Sequence, residues 1–261
     1  MPDKETTEEN FARVFAGYDT PIHFVLTKMG SHVTRHCGEE HMALYTDSSL
    51  VRRAHDDGSL PLDGFVMTGA PFDWVDFQDV DYWEECCELM DWLRDRAIPT
   101  LYVCWGAQAA LRHFHGIGRH VEYPHKLSGV FPQQVLHPEH PFMQGITLPL
   151  CIPHSRHTEM NNDEIDASST MTVLARSAES GISIISCCDG LEIYLVGHQE
   201  YALDTLDKEY HRDVARGLPV HAPLHYYEDE DPAKLVVDSW QQNGNTMYCN
   251  WLRFCANRKT N

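Results

Sequence analysis

The sequence contains no long hydrophobic run. Nothing in it approaches the roughly 20 consecutive apolar residues that a membrane-spanning helix needs, and its first residues, Met-Pro-Asp-Lys-Glu, are polar and acidic. A secretory leader would instead carry a basic start followed by an apolar stretch. We therefore expect a cytoplasmic protein that has no membrane partner.

Positive charge is also scarce. The 20 lysines and arginines face 39 acidic residues, so the formal net charge is −19. Such a balance disfavours nucleic acids and anionic membranes as partners. A polyanionic small molecule would need a binding site that is locally basic. We expect small-molecule substrates, and the sequence leaves a homodimer open.

Paired cysteine motifs are missing as well. No Cys-x-x-Cys occurs, the nine cysteines are an odd number, and two pairs are vicinal, Cys86-Cys87 and Cys187-Cys188. This pattern argues against a disulfide framework and a zinc site, and it favours a reducing compartment. The sequence predicts no bound cofactor.

The 17 histidines are numerous but scattered. His154 and His157 have a spacing that would place them on one face of a helix, where they could share a metal ion. Pro153 and Ser155 predict a loop at this point instead. We therefore predict no metal site.

What the sequence does contain is an alternation of helix and strand patterns, with a hydrophobic share of 43%. We predict one α/β domain over residues 1–261, with a mostly parallel core sheet flanked by helices and late antiparallel strands. The predicted helices cover residues 6–16 (opened by a Thr6–Glu9 capping box), 48–55, 81–97, 105–115, 203–216 and 246–256. The predicted strands cover residues 22–27, 62–68, 101–103, 129–131, 173–176, 182–186 and 191–196, and residues 30–47 show no clear pattern.

The stretch from Thr100 to Leu111 carries a strand–turn–helix pattern with a cysteine at the turn. Leu101-Tyr-Val103 is a short apolar strand pattern, and an alanine-rich helix pattern follows Cys104. A cysteine between strand and helix lies on a tight turn near the helix N-terminus, where free N–H groups favour a thiolate. The same turn carries the nucleophile of serine hydrolases. A buried structural cysteine is the alternative interpretation.

A second element, His198-Gln-Glu200, follows a strand pattern. Residues two apart in a strand share one face, so both side chains can point into one cleft. A carboxylate beside an imidazole orients it and stabilises its protonated form. Cys104, His198 and Glu200 are thus a candidate nucleophile, base and orienting acid.

The chain also resembles a known family in several ordered blocks. Cys104-x-Gly106-x-Gln108 with a downstream His-x-Glu is similar to class I glutamine amidotransferases, although Tyr102 stands where those enzymes usually have glycine. The fuller resemblance is to the homoserine O-acyltransferase family, which transfers succinyl or acetyl groups on that flavodoxin-like fold. The matching blocks are Thr68-Gly-Ala-Pro71, Val80-Asp-Tyr-Trp83, Cys104-Trp-Gly-Ala-Gln-Ala-Ala110, Lys126-Leu-x-Gly-Val-Phe131, Pro153-His-Ser-Arg156, Gly197-His-x-Glu-Tyr201 and Tyr210-x-Arg-Asp213.

This resemblance implies a role for each matching residue. Cys104 is expected to accept the acyl group as a thioester, His198 to accept a proton and Glu200 to orient His198. Lys126, Ser155 and Arg212 are expected to contact the amino-acid substrate, and the backbone N–H of Trp105 is a candidate oxyanion donor. In this family the position of Asp73 helps to choose the acyl donor: glycine accompanies succinyl-CoA and glutamate accompanies acetyl-CoA.

The expected reaction is therefore acyl transfer from acetyl-CoA, or else succinyl-CoA, to the hydroxyl of L-homoserine in methionine biosynthesis. The chain departs from the family pattern at its start, where an extension and first strand are missing, and at Gln199 and Ala202, where proline and aspartate are usual. These departures leave L-serine open as the acceptor. An amidohydrolase or glutamine amidotransferase with the same triad is the second alternative, and a binding protein without activity is the third.

Overall fold

The computed structural model describes residues 4–32 and 38–258, in which helices and strands alternate. The helices are α1 (Lys4–Phe15), α2 (Glu39–Met42), α3 (Ser48–Asp56), α4 (Trp83–Asp95), α5 (Trp105–His115), α6 (Asn162–Asp166), α7 (Thr205–Ala215) and α8 (Gln241–Arg258). The strands are β1 (Thr27–Lys28), β2 (Thr46–Asp47), β3 (Phe65–Met67), β4 (Thr100–Val103), β5 (Arg119–Val135), β6 (Leu150–Met160), β7 (Met171–Ser177), β8 (Gly181–Cys187) and β9 (Glu192–Leu195).

Seven of these strands form one mixed sheet in the order β3-β4-β9-β8-β7-β5-β6. Strands β3, β4 and β9 are parallel to one another, and the remaining neighbours are antiparallel. The predicted α/β class, with a parallel core and later antiparallel strands, is confirmed. The antiparallel part is the more extensive because short connections rather than crossover helices join β7, β8 and β9.

Both faces of the parallel core are covered. Along β4, Leu101 and Val103 pack into an apolar cluster that includes α1 and α8, whereas Tyr102 packs into a second cluster with α4 and α5. All four residues of β4 are buried. This two-sided burial explains why the strand reads as a continuous apolar run instead of an alternating one.

All six predicted helices are confirmed, most of them with shifted ends. The first helix already includes Lys4, so the Thr6–Glu9 capping box lies inside α1 and does not open it. The last helix begins at Gln241, five residues before the predicted start, and the N–H of Gln241 bonds to the Asp238 carboxylate. In the unassigned 30–47 segment, α2 and β2 are formed, and residues 33–37 lie outside the described part of the chain.

One strand prediction and one loop prediction are wrong. Residues 22–26 are not in a strand, and only Thr27–Lys28 pairs with β2. Pro153 and Ser155 do not form a loop, because residues 150–160 make up β6. This strand is at the end of the sheet order, where a proline is tolerated because one side needs no ladder hydrogen bond.

Within residues 4–32 and 38–258, no helix is long and apolar enough to cross a membrane.

Candidate active site

Cys104 lies on the sharp turn between β4 and α5. Its backbone has φ 53° and ψ −115°, a conformation that non-glycine residues seldom adopt and that costs energy. The N–H of Cys104 donates to the carbonyl oxygen of Leu195 on β9 at 2.7 Å. The predicted strand–turn–helix is therefore confirmed, with a half-buried thiol at the edge of the parallel core.

Two glycines allow the chain to pack closely around this turn. A Cβ on Gly106 would lie 2.6 Å from the carbonyl oxygen of Met67, at the end of β3. A Cβ on Gly69 would lie 3.1 Å from the Cβ of Cys104 and 3.6 Å from the backbone N of Trp105. Larger residues at either position would push β3 and its following loop away from the cysteine.

Trp105 is the first residue of α5, and its backbone N–H is among those that a helix leaves without an internal acceptor. Its side chain is buried against three aromatic rings, those of Phe72, Phe77 and Tyr82. The backbone N–H points out of the N-terminus of α5, because Trp105 is the first residue of this helix. The geometry suits an oxyanion donor, and that role remains a prediction.

His198 and Glu200 emerge beside Cys104 because β9 pairs with β4 in parallel register, Leu195 opposite Val103. The Nδ1 atom of His198 lies 2.7 Å from Oε1 of Glu200. The two residues lie in a turn, in which the N–H of Tyr201 donates to the carbonyl of His198. The prediction that His198 and Glu200 share one face of a strand was therefore wrong, although their side chains do contact each other.

The charges around His198 favour its protonated form. Burial alone would lower its pKa, but the neighbouring Cys104 and Glu200 side chains outweigh burial and raise the pKa well above the usual range. The ring also stacks on Tyr201, with centroids 4.1 Å apart. A protonated imidazole beside Cys104 favours a thiolate–imidazolium pair, the reactive state of cysteine nucleophiles.

A second polar cluster surrounds Glu209 on α7. The ammonium of Lys126 lies 2.7 Å from Oε2 of Glu209, the hydroxyl of Ser155 donates to the same oxygen at 2.5 Å, and the hydroxyl of Tyr201 donates to Oε1 at 3.3 Å. Burial would raise the pKa of Glu209, yet the Lys126 charge and these hydrogen bonds lower it. Glu209 is therefore ionised near neutral pH, and Tyr201 links its cluster to His198.

Arg212 lies one step outside this cluster. Its guanidinium donates to Oδ1 of Asp213 at 2.8 Å, and Oδ2 of Asp213 lies 3.7 Å from the ammonium of Lys126. The structure thus brings Lys126 and Ser155 together on Glu209 and connects Arg212 to them through Asp213.

Asp73 follows the loop that contacts Cys104. Its Oδ1 accepts a hydrogen bond from the backbone N–H of His157 on β6 at 3.2 Å. Arg119 fixes the same loop by donating to the carbonyls of Phe72 at 2.9 Å and Val75 at 2.7 Å. Asp73 therefore joins two segments of the fold and is not a simple cap of its own turn.

The family was identified by comparison with known proteins. A family model described as homoserine O-succinyltransferase matches residues 1–261. The chain belongs to this family of homoserine O-acyltransferases, and it is a transferase. A homoserine O-acetyltransferase of Bacteroides fragilis is 36% identical over the whole chain and 83% of the relative's length. One from Cereibacter sphaeroides is 37% identical, over 97% of the chain and 81% of that relative.

Solved structures agree on the fold of the family member. A glutamine amidotransferase from Thermotoga maritima has a TM-score of 0.55 at 12% identity, covering 73% of this chain and 77% of that one. A glutamine amidotransferase from Methylobacillus flagellatus has a TM-score of 0.53 at 14% identity, covering 80% and 83%. The class I glutamine amidotransferase-like fold predicted from sequence is therefore confirmed.

Glu209 belongs to the candidate site, and the sequence analysis missed it. The available signal was its helical spacing, since Glu209 follows the buried Leu206 by three residues and precedes the buried Asp213 by four. That spacing puts all three on the inner face of α7. An acidic residue on the inner face of an amphipathic helix needs a cationic partner, which here is Lys126.

The histidines that were considered as metal ligands have other partners. His154 on β6 is fully buried and lies 3.2 Å from the Ser183 hydroxyl, and burial and the nearby Arg156 lower its pKa. The ring of His157 contacts Trp74 instead. The two side chains thus do not converge on one site.

A different trio, His115, Cys187 and Glu192, has ligand atoms within 4.8 Å of one another. Arg94 already donates to both carboxylate oxygens of Glu192, at 2.6 and 2.7 Å. A metal ion would have to displace this cation, so we assign none there.

Proposed function

We propose that this family member transfers an acetyl group from acetyl-CoA to the side-chain hydroxyl of L-homoserine, through a thioester on Cys104, in methionine biosynthesis. The observation that carries the proposal is the position of His198. Its ring faces the Cys104 thiol and stacks on Tyr201, whose hydroxyl reaches the Glu209 cluster. One imidazole can therefore serve both the acyl-carrying sulfur and an amino acid held at that cluster.

In the first half-reaction, the Cys104 thiolate attacks the carbonyl carbon of acetyl-CoA. The negative charge that develops on the carbonyl oxygen is stabilised by the Trp105 N–H. The C–S bond to CoA then breaks, and the departing thiolate takes the proton of the His198 imidazolium. The products are free CoA and acetyl-Cys104, with a neutral imidazole.

In the second half-reaction, neutral His198 takes the hydroxyl proton of homoserine while the oxygen attacks the thioester carbonyl. The Cys104 thiolate leaves, which releases O-acetylhomoserine and restores the thiolate–imidazolium pair. The substrate carboxylate is bound by Lys126 and Arg212, and its ammonium is bound by Glu209. Groups of both charges are suited to a zwitterionic amino acid.

Asp73 supports acetyl-CoA as the donor. A carboxylate beside the acyl pocket repels the free carboxylate of a succinyl group, at a cost on the order of 1 kcal/mol or more. The family model carries the succinyl name and the two relatives carry the acetyl name. The names disagree on the acyl group, so Asp73 itself is the argument for acetyl-CoA as the donor.

The test begins with acetyl-CoA and no acceptor. We expect one acetyl group to be added to the Cys104 peptide, as measured by peptide mass spectrometry, and Cys104→Ala to lose the adduct and about four orders of magnitude of turnover or more. Cys151→Ala, at another half-buried thiol, is the control and should keep both. An adduct on a different residue would contradict the thioester assignment.

Substrate identity is tested with a panel of homoserine, serine and glutamine. Homoserine should give the highest kcat/KM, and varying both substrates should give parallel double-reciprocal lines. A higher kcat/KM for serine than for homoserine would identify serine as the acceptor. Ammonia release from glutamine at a matching rate would show that the protein is an amidotransferase or amidohydrolase instead. Intersecting lines would exclude the two-step scheme.

A further inference from the structure

Arg13, in the first helix, reaches the turn that carries the candidate triad. Its Nη2 atom donates to the backbone carbonyls of Glu200 at 2.5 Å and Tyr201 at 2.8 Å. Glu200 bonds to the imidazole of His198, and Tyr201 stacks on the same ring. A single guanidinium thus fixes the backbone of both residues that flank His198 in space.

Tyr248, in the last helix, reaches the same carboxylate from the other side. Its hydroxyl donates to Oε2 of Glu200 at 3.3 Å, while Oε1 of Glu200 faces His198 at 2.7 Å. Tyr248 is fully buried. Both oxygens of the carboxylate therefore have a defined partner, and only one of these partners is the imidazole.

The two helices are packed together through aromatic side chains. The Tyr248 ring lies edge-on to Phe15, with centroids 5.2 Å apart, and to Phe11 at 6.0 Å. Aromatic contacts of this kind lock ring orientation. Arg13 on α1 and Tyr248 on α8 are consequently held at a fixed separation across Glu200.

We propose that Arg13 and Tyr248 are positioning residues, which hold the Glu200 carboxylate in line with His198 so that the imidazole keeps its tautomer and direction. The expected loss of kcat rests on the proposed function, because it is measured as acyl transfer. Tyr248 controls the rotation of the carboxylate, and Arg13 controls the backbone from which the carboxylate extends. Contacts that orient the ligands of metal sites commonly change activity 10- to 100-fold, and we expect an effect of similar size at this carboxylate.

The kinetic test is a double-mutant cycle. Tyr248→Phe keeps the ring and its packing, and we expect it to lower kcat for acyl transfer roughly tenfold with little change in KM. In a Glu200→Gln background the same substitution should cost less than about twofold, because its effect passes through the carboxylate. Equal losses in both backgrounds would show a merely structural role and overturn the inference.

Arg13 is tested by loss and rescue. We expect Arg13→Met to lower kcat roughly tenfold, and Arg13→Lys, which keeps a donor for the carbonyls, to recover most of it. Arg52→Met, which removes a surface arginine paired with Glu88 at 3.5 Å, is the matched control and should keep wild-type kcat. A lysine variant as impaired as the methionine variant, with both folded by circular dichroism, would contradict a positioning role.

An NMR titration of His198 is independent of any substrate. The charged and titratable groups that face this imidazole are Cys104, His154, Glu200, Tyr201 and Glu209. Glu200 raises the His198 pKa, so a misaligned carboxylate should lower the midpoint in Tyr248→Phe relative to wild type. An unchanged midpoint would overturn the positioning inference. A lowered midpoint in a protein that transfers no acyl group would support the positioning inference and refute only the proposed function, and a raised midpoint would overturn the inference.

Discussion

The two halves of the candidate site are built differently. The His198 and Glu200 side chains are only 8% and 5% exposed, and they extend from the end of the parallel core. The Lys126 and Arg212 side chains are 15% and 42% exposed, on an antiparallel strand and on α7. The half that would carry out bond chemistry is thus deep and fixed, whereas the half that would recognise the amino acid is shallower and held by charge.

This difference has a physical reason. Parallel strands end together at one edge of a sheet, so Cys104 and the turn after β9 are aligned by the register of β4 and β9. The Glu209 cluster depends on long side chains from separate elements, whose ion pairs hold only while each partner is present. Changes in α7 or β5 are therefore expected to alter the Glu209 cluster more than the alignment of Cys104 with the turn after β9.

Glu209→Gln is expected to give the largest difference between the two halves of the site, because it should impair acyl transfer to homoserine but not acetylation of Cys104. The substitution removes the charge that faces Lys126 and that, under the proposed function, binds the substrate ammonium, while the immediate neighbours of Cys104 stay unchanged. We expect kcat/KM for homoserine to fall roughly 10- to 150-fold, the worth of a charge-assisted hydrogen bond. Acetylation of Cys104 in the absence of acceptor should proceed at close to the wild-type rate, as measured by mass spectrometry.

The control for Glu209 is Asp204→Asn, which neutralises an exposed ion pair with Lys208 at the start of the same helix. This variant should retain kcat/KM within about twofold, because exposed ion pairs contribute little. If Glu209→Gln slowed Cys104 acetylation as much as acyl transfer, the division into two halves would be wrong.

A smaller effect is expected at Asp73, on the donor side. Asp73→Asn removes the charge but keeps an oxygen for the His157 N–H, and Asp73→Gly removes both. We expect the ratio of kcat/KM for acetyl-CoA over succinyl-CoA to fall about tenfold in both variants if charge selects the donor. A fall in the glycine variant alone would assign the selection to size, and a ratio unmoved in both would remove Asp73 from donor choice.

The smallest effect concerns Gln199, between the two triad residues. The residue is 1% exposed, and both side-chain amide atoms are buried without a hydrogen-bond partner. Gln199→Met keeps the approximate shape and removes this cost, so the free energy of unfolding should rise by about 1 kcal/mol in a urea titration. Gln134→Met, at an exposed position on β5, should stay within about 0.5 kcal/mol. A destabilised Gln199→Met would show that the amide is satisfied.

Sequence reasoning worked where the signal is local. The turn at Cys104 was predictable because an apolar strand, a glycine and an alanine-rich helix follow one another within twelve residues. Strand β6 was missed because Pro153 argues against a strand unless the edge position is known, and sheet order is not a local property. The start of α1 was mispredicted although its signal is local, because the Thr6–Glu9 capping motif also fits inside a longer helix.

Contacts between distant segments could not be predicted from the sequence. Lys126 and Glu209 are 83 residues apart, and Arg13 and Glu200 are 187 apart. Glu200 was predicted from its motif, but nothing in the sequence pairs it with Arg13 or pairs Glu209 with Lys126. Only the packing of α1 and α7 against the sheet turns them into partners. The family resemblance supplied Lys126, Ser155 and Arg212, but it did not supply Glu209, the anion that Lys126 and Ser155 contact.

The positive φ of Cys104 has a consequence for evolution and engineering. A strained backbone of this kind costs on the order of 1–3 kcal/mol, which glycine would largely avoid. Selection for thermal stability alone would therefore favour Cys104→Gly, a change that discards the sulfur. Screens of this protein for heat resistance should include a turnover assay at every round, because the most stable variants at this turn are expected to be inert.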